Sequence, residues 1–117
     1  MGDKTIIDQK TFNELKALMG ADFIVEIVDT FIEETGNLID QLHDTLEEQD
    51  AATFGRCAHS IKSSSASLGA LDFSQSARQL EMMGKAGDLS DAEPLLDGLT
   101  TDFLDVKQNL EVLKNES

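Results

Sequence analysis

The sequence predicts an all-α fold, an antiparallel up-down-up-down four-helix bundle with a short extra N-terminal helix. Hydrophobic residues recur three and four positions apart through most of the chain, which is the spacing of one helix face. Strand signals are weak, because Tyr and Trp are absent and the β-branched residues do not alternate with polar ones. Turn-forming residues divide the chain into segments joined by short loops, and such loops join antiparallel helices.

The N-terminal helix is short and is expected to flank the bundle. Asp8 is in position to cap its first turn, and Gly20 is a favourable residue just past its end. The apolar side chains that it is expected to bury are Phe12, Leu15, and Leu18 or Met19.

The second helix, residues 21–48, carries the strongest pattern. Most of its acidic residues lie outside one wide apolar stripe, as in a helix that packs on a core. The stripe consists of Phe23, Ile24, Ile27, Val28, Phe31, Ile32, Thr35, Leu38, Ile39, Leu42 and Leu46. A turn near Gln49 and Asp50 then leads into the next helix.

The third helix is expected over residues 51–68, with Asp50 as its N-cap and Gly69 after its last residue. The serine-rich run 63–67 could instead be a flexible linker between two helical pieces. A helix is favoured, because the apolar register continues through that run. The buried positions of this register are Phe54, Ala58, Ile61, Ser65 and Leu68.

The last two helices complete the bundle. The fourth, residues 72–86, presents Phe73, Ala77, Leu80 and Met83. The fifth is expected to open with Ser90-x-x-Glu93, which has the form of a capping box, and Pro94 is tolerated in its first turn. Its stripe runs to the C-terminus through Leu96, Leu99, Phe103, Val106, Leu110 and Leu113.

Composition limits the classes of protein that the chain can belong to. Its 117 residues suit a single domain, residues 1–117. The formal net charge of −14 argues against nucleic acid and anionic membranes as partners, because both would be repelled. Charges interrupt every apolar run well before the length of a membrane span. With one cysteine and no signal-peptide pattern, we expect a cytoplasmic location. We also expect a monomer.

One segment departs from the acidic character of the chain. Residues 51–71 contain no acidic residue, whereas residues 22–50 contain ten acidic residues and no Lys or Arg. His59 lies in this acid-free segment, between Arg56 and Lys62. At about 100° per residue His59 lies some 160° from Ile61, on the face turned away from the core. Its neighbours on that face are Gly55, Arg56, Lys62, Ser63 and Ala66.

These neighbours suit phosphate chemistry at an exposed helix. An unperturbed imidazole titrates near pH 6.5 and therefore offers a neutral nitrogen nucleophile at about pH 7. Lys62, one turn further along, can neutralise the oxygens of a phosphoryl group. Gly55, Ser63 and Ala66 are small, so the surface of another protein can approach the ring.

Structural roles are the alternative for each reactive side chain. Most isolated surface histidines have no catalytic role, and we assign His43, which lies among acidic residues without cations, to that class. Cys57 falls toward the buried side of the third helix, where a lone thiol acts as a small apolar residue. Two histidines and one cysteine match no zinc-binding spacing, so we expect no metal site and no bound cofactor.

Residues 58–70, Ala-His-Ser-Ile-Lys-Ser-Ser-Ser-Ala-Ser-Leu-Gly-Ala, resemble the signature of histidine-containing phosphotransfer (HPt) domains, His-x-Leu-Lys-Gly-Ser-x-x-x-x-Gly. The resemblance implies that His59 is the phosphorylated histidine, that Lys62 and Ser64 match the signature lysine and serine, and that Gly69 closes the helix. Ile61 replaces the usual leucine, and Ser63 stands where glycine is typical. In this family a polar residue on the next helix often bonds the second imidazole nitrogen.

By position, that polar residue is Glu81. The resemblance further implies a phosphorelay intermediate in a two-component system. His59 would take a phosphoryl group from a phosphoaspartate on one response-regulator receiver domain and pass it to an aspartate on another. The expected partners are receiver domains and a hybrid sensor histidine kinase, and the receiver would contribute Mg²⁺. The sequence contains no Gly-rich phosphate loop, so nothing in it points to ATP chemistry by the chain itself.

Three other interpretations stay open at this point. The first is a helical adaptor or scaffold that binds partner proteins, with His59 incidental. The second is the phosphotransfer end of a larger hybrid kinase. The third, an acidic mimic of nucleic acid, gives no reason for the acid-free segment.

Overall fold

The computed structural model describes residues 6–116, and five helices form that part of the chain. The prediction of an all-α fold is confirmed. The helices are α1, Gln9–Met19; α2, Ala21–Glu48; α3, Ala51–Leu68; α4, Leu71–Ala86; and α5, Ala92–Asn115. The serine-rich run lies inside α3, so it is helical and does not act as a linker.

Helices α2 to α5 form the antiparallel bundle. Each packs against the helices before and after it, and α5 returns to α2 to close the ring. The most extensive contact joins α3 and α4, and α1 packs across α2 and α3. Two-residue connections such as Gln49 and Asp50 leave no room for a crossover, so successive helices run in opposite directions.

The apolar stripes meet inside this ring. The centre is formed by fully buried side chains from every helix: Phe12, Ile24, Val28, Leu42, Phe54, Ile61, Leu80, Leu96 and Leu110. Burial of a large apolar side chain stabilises a fold by roughly 1.5–3 kcal/mol, so these stripes are the main source of bundle stability. Their inward direction also leaves the opposite face of α3 open to solvent.

Capping residues fix the two ends of α3 at the positions that the sequence predicts. The Asp50 side chain accepts a hydrogen bond from the Thr53 backbone N–H at 3.2 Å. Gly69 follows the last residue with φ of 93°, a left-handed conformation that favours glycine. Asp8 caps α1 in the same way through the Thr11 backbone N–H.

Three apolar side chains expected to be buried are exposed instead. Leu18 is 80% exposed, Met19 39% and Phe23 45%. Leu18 lies about 120° around α1 from the buried Phe12, at about 100° per residue. Met19 is the last residue of α1 and Phe23 lies in the first turn of α2, on either side of Gly20. Spacing identifies the face of a helix but not how far its neighbours extend.

The expected capping box at the start of α5 is wrong. The Ser90 hydroxyl donates to Asp88 Oδ1 at 2.6 Å, and its backbone N–H bonds the same oxygen at 3.1 Å. Asp88 therefore folds the loop over Ser90 in a local turn that competes with capping. Helix α5 begins after Asp91, which makes no side-chain capping bond, and Pro94 lies in its first turn as predicted.

Between residues 6 and 116, none of the helices is long and apolar enough to cross a membrane.

Candidate functional site

His59 lies in the middle of α3, on the face opposite the core. Its side chain is 57% exposed, and Nδ1 of the ring lies 2.7 Å from Oε2 of Glu81 on α4. Within residues 6–116 no hydrogen bond is made to Nε2, the outer ring nitrogen. The imidazole is thus held at one nitrogen and presented to solvent at the other.

Glu81 is the buried centre of the site. Its side chain is only 4% exposed and contacts three side-chain nitrogens. Besides His59 Nδ1, Nζ of Lys62 lies 2.7 Å from Oε1, and Nζ of Lys85 lies 3.4 Å from Oε2. A buried carboxylate is costly unless it is paired, and these contacts supply the pairing.

The same contacts set the charge of Glu81. The hydrogen bond from Lys62 is the main cause that lowers the pKa of the Glu81 carboxyl from 4.5 to about 2, and the bond from His59 and the charges of Lys62 and Lys85 act in the same direction. Burial opposes the shift but is outweighed. At neutral pH Glu81 is therefore an anion that can only accept hydrogen bonds.

An acceptor at Nδ1 determines which nitrogen of a neutral His59 ring carries the proton. Because Glu81 cannot donate, the proton in the 2.7 Å contact belongs to Nδ1. The lone pair then lies on Nε2, the exposed nitrogen. A carboxylate that orients a histidine in this way fixes both the tautomer and the direction of the ring.

A glycine on each helix lets α4 come close to α3 beside this hydrogen bond. Gly55 precedes His59 by one turn, and Gly84 follows Glu81 by one turn. The two glycines face each other, since a Cβ built on Gly84 would lie 2.6 Å from the Gly55 Cα. On the other side of the site the Ser74 hydroxyl of α4 donates to the Lys62 carbonyl oxygen at 2.8 Å. The His59–Glu81 pair thus lies between two α3–α4 contacts.

An open depression of about 590 Å³ surrounds this arrangement. It is lined by small residues and by cations, with the imidazole at its edge. The lining residues are Ala52, Gly55, Arg56, His59, Ser60, Glu81, Gly84 and Lys85. The depression therefore offers space and positive charge next to Nε2.

The other predicted site residues fall in different environments. Arg56, Ser63 and Ala66 are exposed on α3 near His59. Gly55 is buried where α3 meets α4, and it lines the depression beside His59. Gly69 ends α3 as expected. The role that the sequence assigns to each of these residues stays a prediction.

Hydrophobic spacing and the acid-free segment do not point to Lys85. It lies four residues after Glu81, a spacing at which opposite charges on a helix meet, and it reaches both Glu81 and the depression. That spacing was a usable signal. The approach of Gly84 to Gly55 had no comparable signal, because it depends on how two helices pack.

A second groove of about 470 Å³ lies on the α1–α2 side of α3. It is largely apolar, and Ser64 and Ser67 of α3 form one wall. Its apolar lining comes from Leu15, Phe23, Ile27, Phe31 and Leu68. Phe23, unexpectedly exposed, is therefore part of a surface next to the His59 face.

The remaining reactive groups lie apart from this site. Cys57 is buried, its thiol donates to Gln41 Oε1 at 3.5 Å, and burial raises the pKa of the thiol. Its raised pKa opposes formation of a reactive thiolate. Within the described part of the chain no group of three or more His, Cys, Asp or Glu side chains is arranged to hold a metal ion.

A comparison with protein families identifies the family of this chain. Residues 26–116 match the model of the Hpt domain, which covers most of the chain. The chain belongs to the Hpt domain family. The resemblance drawn from residues 58–70 is confirmed, and this Hpt protein is a phosphorelay intermediate. A comparison of its sequence with curated proteins gave no match.

Solved structures share the fold of this Hpt protein. Histidine-containing phosphotransfer protein B (HptB) from Pseudomonas aeruginosa PAO1 superposes with a TM-score of 0.90 and 23% identity, covering 98% of this chain and 99% of HptB. The histidine-containing phosphotransfer protein ZmHP2 from maize gives a TM-score of 0.82 and 21% identity, covering 96% of this chain and 91% of ZmHP2. At such identities the bundle is shared while most side chains differ.

Proposed function

We propose that His59 is the residue that carries the phosphoryl group in this Hpt protein. Its Nε2 attacks the phosphorus of a phosphoaspartate on a receiver domain. The N–P bond forms as the bond between phosphorus and the aspartate oxygen breaks, and the aspartate leaves as a carboxylate. The reverse sequence delivers the group to an aspartate on another receiver. The observation that supports this assignment is the Nδ1–Glu81 bond, which leaves the Nε2 lone pair exposed.

Glu81 supports both the attack and its product. Before attack it holds the proton on Nδ1, so no proton has to leave Nε2 when the N–P bond forms. After attack the ring, which keeps its Nδ1 proton, carries positive charge, and the carboxylate lies 2.7 Å from that proton's nitrogen. Stabilising charge that develops during reaction is an effective contribution of a preorganised group.

Two lysines supply positive charge for the phosphoryl group. Lys62 is 29% exposed and is bonded to Glu81 at 2.7 Å, whereas Lys85 is 74% exposed and lies 3.4 Å from the same carboxylate. The exposed and longer contact is the easier one to exchange for a phosphoryl oxygen. We therefore assign phosphoryl stabilisation to Lys85 as well as to Lys62, the residue that the sequence predicts.

A receiver domain is the proposed partner, and it covers the outer face of α3. Ser63 and Ala66 leave that face low, and Arg56 adds a positive charge at its edge. The apolar groove beside α3 extends the surface that a docked receiver would bury. Mg²⁺ is expected on the receiver, and a hybrid sensor kinase as the source of the phosphoryl group. Monomeric state and cytoplasmic location stay predictions.

Phosphotransfer with a purified receiver tests the assignment. The receiver is labelled on its aspartate and mixed with wild type, His59→Gln or His43→Gln. We expect the wild type and His43→Gln to take up label that survives alkali and is lost in mild acid, as a phosphohistidine is. His59→Gln should take up none. Label on His59→Gln would refute the site, and receiver binding without any transfer to wild type would favour the adaptor interpretation.

A further inference from the structure

We infer that Gly84 is a positioning residue for phosphotransfer: its missing side chain lets α4 lie close enough to α3 for Glu81 to hold the His59 ring. The inference rests on the proposed function of His59 and Glu81. It adds a residue that contacts neither the phosphoryl group nor the imidazole.

At Gly84 the backbones of α3 and α4 lie very close together. A Cβ on Gly84 would lie 2.6 Å from the Gly55 Cα, 2.7 Å from the Gly55 nitrogen and 2.9 Å from the Ala51 carbonyl oxygen. Ordinary contacts of a Cβ begin at 3.4 Å. All three obstructing atoms are backbone atoms of α3, which cannot rotate aside as a side chain does. Any side chain at position 84 therefore pushes the two helices apart.

The two glycines of this contact are not equivalent. A Cβ on Gly55 would meet the Gly84 Cα and carbonyl carbon at 3.5 Å and the Lys85 nitrogen at 3.6 Å, which are ordinary contacts. Alanine thus fits at position 55 but not at position 84. This asymmetry supplies a control that adds the same methyl group to the same helix contact without moving the helices.

Displacement at Gly84 is transmitted to Glu81. Three helical residues span about 4.5 Å, so Glu81 lies within one turn of the obstruction. A separation of about 0.8 Å would relieve the closest contact, and it would lengthen the 2.7 Å bond from His59 Nδ1 beyond the usual range of about 2.7–3.2 Å.

The three partners of Glu81 differ in how well they can follow such a movement. The imidazole is attached by a short side chain, and rotating it toward α4 would move Nε2 off the exposed face. Lys62 and Lys85 have long flexible side chains and can keep contact with the carboxylate. Separation of the helices therefore removes the histidine hydrogen bond and spares the ion pairs. The ring can then also adopt the tautomer with the proton on Nε2. In that tautomer Nε2 has no free lone pair.

The test is Gly84→Ala, measured by ¹⁵N NMR of the histidine ring at a pH where the ring is neutral and by the rate of phosphotransfer from a receiver. We expect the wild type to hold the Nδ1–H tautomer and Gly84→Ala to show a mixture with the Nε2–H tautomer. Transfer by Gly84→Ala should be slower by about 10-fold, the lower range for loss of an orienting partner. Gly55→Ala should keep the wild-type tautomer.

Gly98→Ala is the control for activity. Gly98 lies on α5 away from the site, with no atom within 4 Å of an added Cβ, so its substitution should leave transfer unchanged and favour the helix. It also provides a stabilised background for Gly84→Ala if the single variant fails to fold. If the double variant also fails to fold, Gly84 serves the stability of the bundle alone and the inference is wrong.

The two readouts separate this inference from the proposed function. The tautomer of His59 is measured without any phosphoryl donor, so it tests Gly84 even if another residue carries the phosphoryl group. A folded Gly84→Ala variant that kept the Nδ1–H tautomer would overturn the inference while leaving His59 as the proposed acceptor.

Discussion

The two histidines of this chain are held in opposite ways. Glu81 accepts a hydrogen bond from Nδ1 of His59 and leaves Nε2 open. For His43 on α2 the contact is at Nε2, which lies 3.0 Å from the Thr100 hydroxyl oxygen. That hydroxyl donates its only proton to the Leu96 carbonyl at 2.8 Å, so it accepts from His43. Nε2 of His43 is therefore occupied by a proton and a partner.

Their electrostatic surroundings differ as well. The depression beside His59 is lined by Arg56 and Lys85. The one beside His43, of about 540 Å³, is lined by acidic side chains. These are Asp44, Glu47, Glu93 and Asp97. A phosphoryl group carries negative charge and is repelled there. Exposure alone does not make a histidine suitable for phosphotransfer, since both are exposed and only one has a free Nε2 among cations.

Apart from replacement of His59 itself, the largest effect is expected when His59 loses its carboxylate. Glu81→Ala should slow phosphotransfer by about 10–100-fold, because the ring loses its orienting acceptor and the lysines lose their anchor. The rate is measured with a phosphorylated receiver. Glu47→Ala, which removes a carboxylate near His43, is the matched control and should transfer at the wild-type rate. Wild-type transfer by Glu81→Ala would show that His59 does not need a carboxylate at Nδ1 for transfer.

A smaller effect is expected on the pH dependence of stability. The pKa of Glu81 is lowered in the folded protein from 4.5 to about 2, so its ionised form stabilises the fold above about pH 4.5. That contribution is lost as the pH falls from 4.5 toward 2. We expect the difference in unfolding free energy between wild type and Glu81→Gln to be largest near neutral pH and to shrink over that interval.

Chemical denaturation at a series of pH values measures this difference. The comparison with Glu81→Gln cancels the titration of the other acidic residues, which the two proteins share. A difference that stayed constant from pH 6 to pH 2.5 would contradict the ion pairing of Glu81 with Lys62, the main cause of its low pKa.

The smallest effect is expected at the partner of His43. Thr100→Val removes the acceptor of the Nε2 hydrogen bond, which is exposed and contributes at most about 1 kcal/mol. Thermal unfolding should show a correspondingly small change, and phosphotransfer should be unchanged. A loss of transfer in Thr100→Val would mean that His43 takes part in the reaction.

Most of the fold could be predicted from local patterns. Hydrophobic spacing located the helices, and Asp50 and Gly69 marked the ends of α3 because capping depends on residues within one turn. The exposure of Leu18 follows from spacing alone, since it lies about 120° around α1 from the buried Phe12, whereas the exposure of Phe23 depends on how the helices beside it pack. The predicted capping box at Ser90 does not form, because Asp88, two residues before it, offers a competing hydrogen bond.

The site was predictable to a different degree on each helix. On α3 the spacing of His59, Arg56 and Lys62 put them on one face, and the absence of acids drew attention to it. On α4 the position of Glu81 came from the family resemblance, and the structure brings it to His59. Its role in transfer is still a prediction. The approach of Gly84 is a property of two packed backbones, which no spacing within one helix encodes.

Gly69 connects the end of α3 to the first helix. Its carbonyl oxygen accepts a hydrogen bond from the Asp8 backbone N–H at 2.8 Å, and a Cβ at this position would lie 2.7 Å from the Asp8 carbonyl oxygen. The family model matches residues 26–116, which leaves α1 outside it. Together with the packing of α1 on α2 and α3, this contact ties α1 to the helix that carries His59. A side chain at position 69 would clash with the Asp8 backbone, so one substitution would disturb both the start of α1 and the last turn of α3.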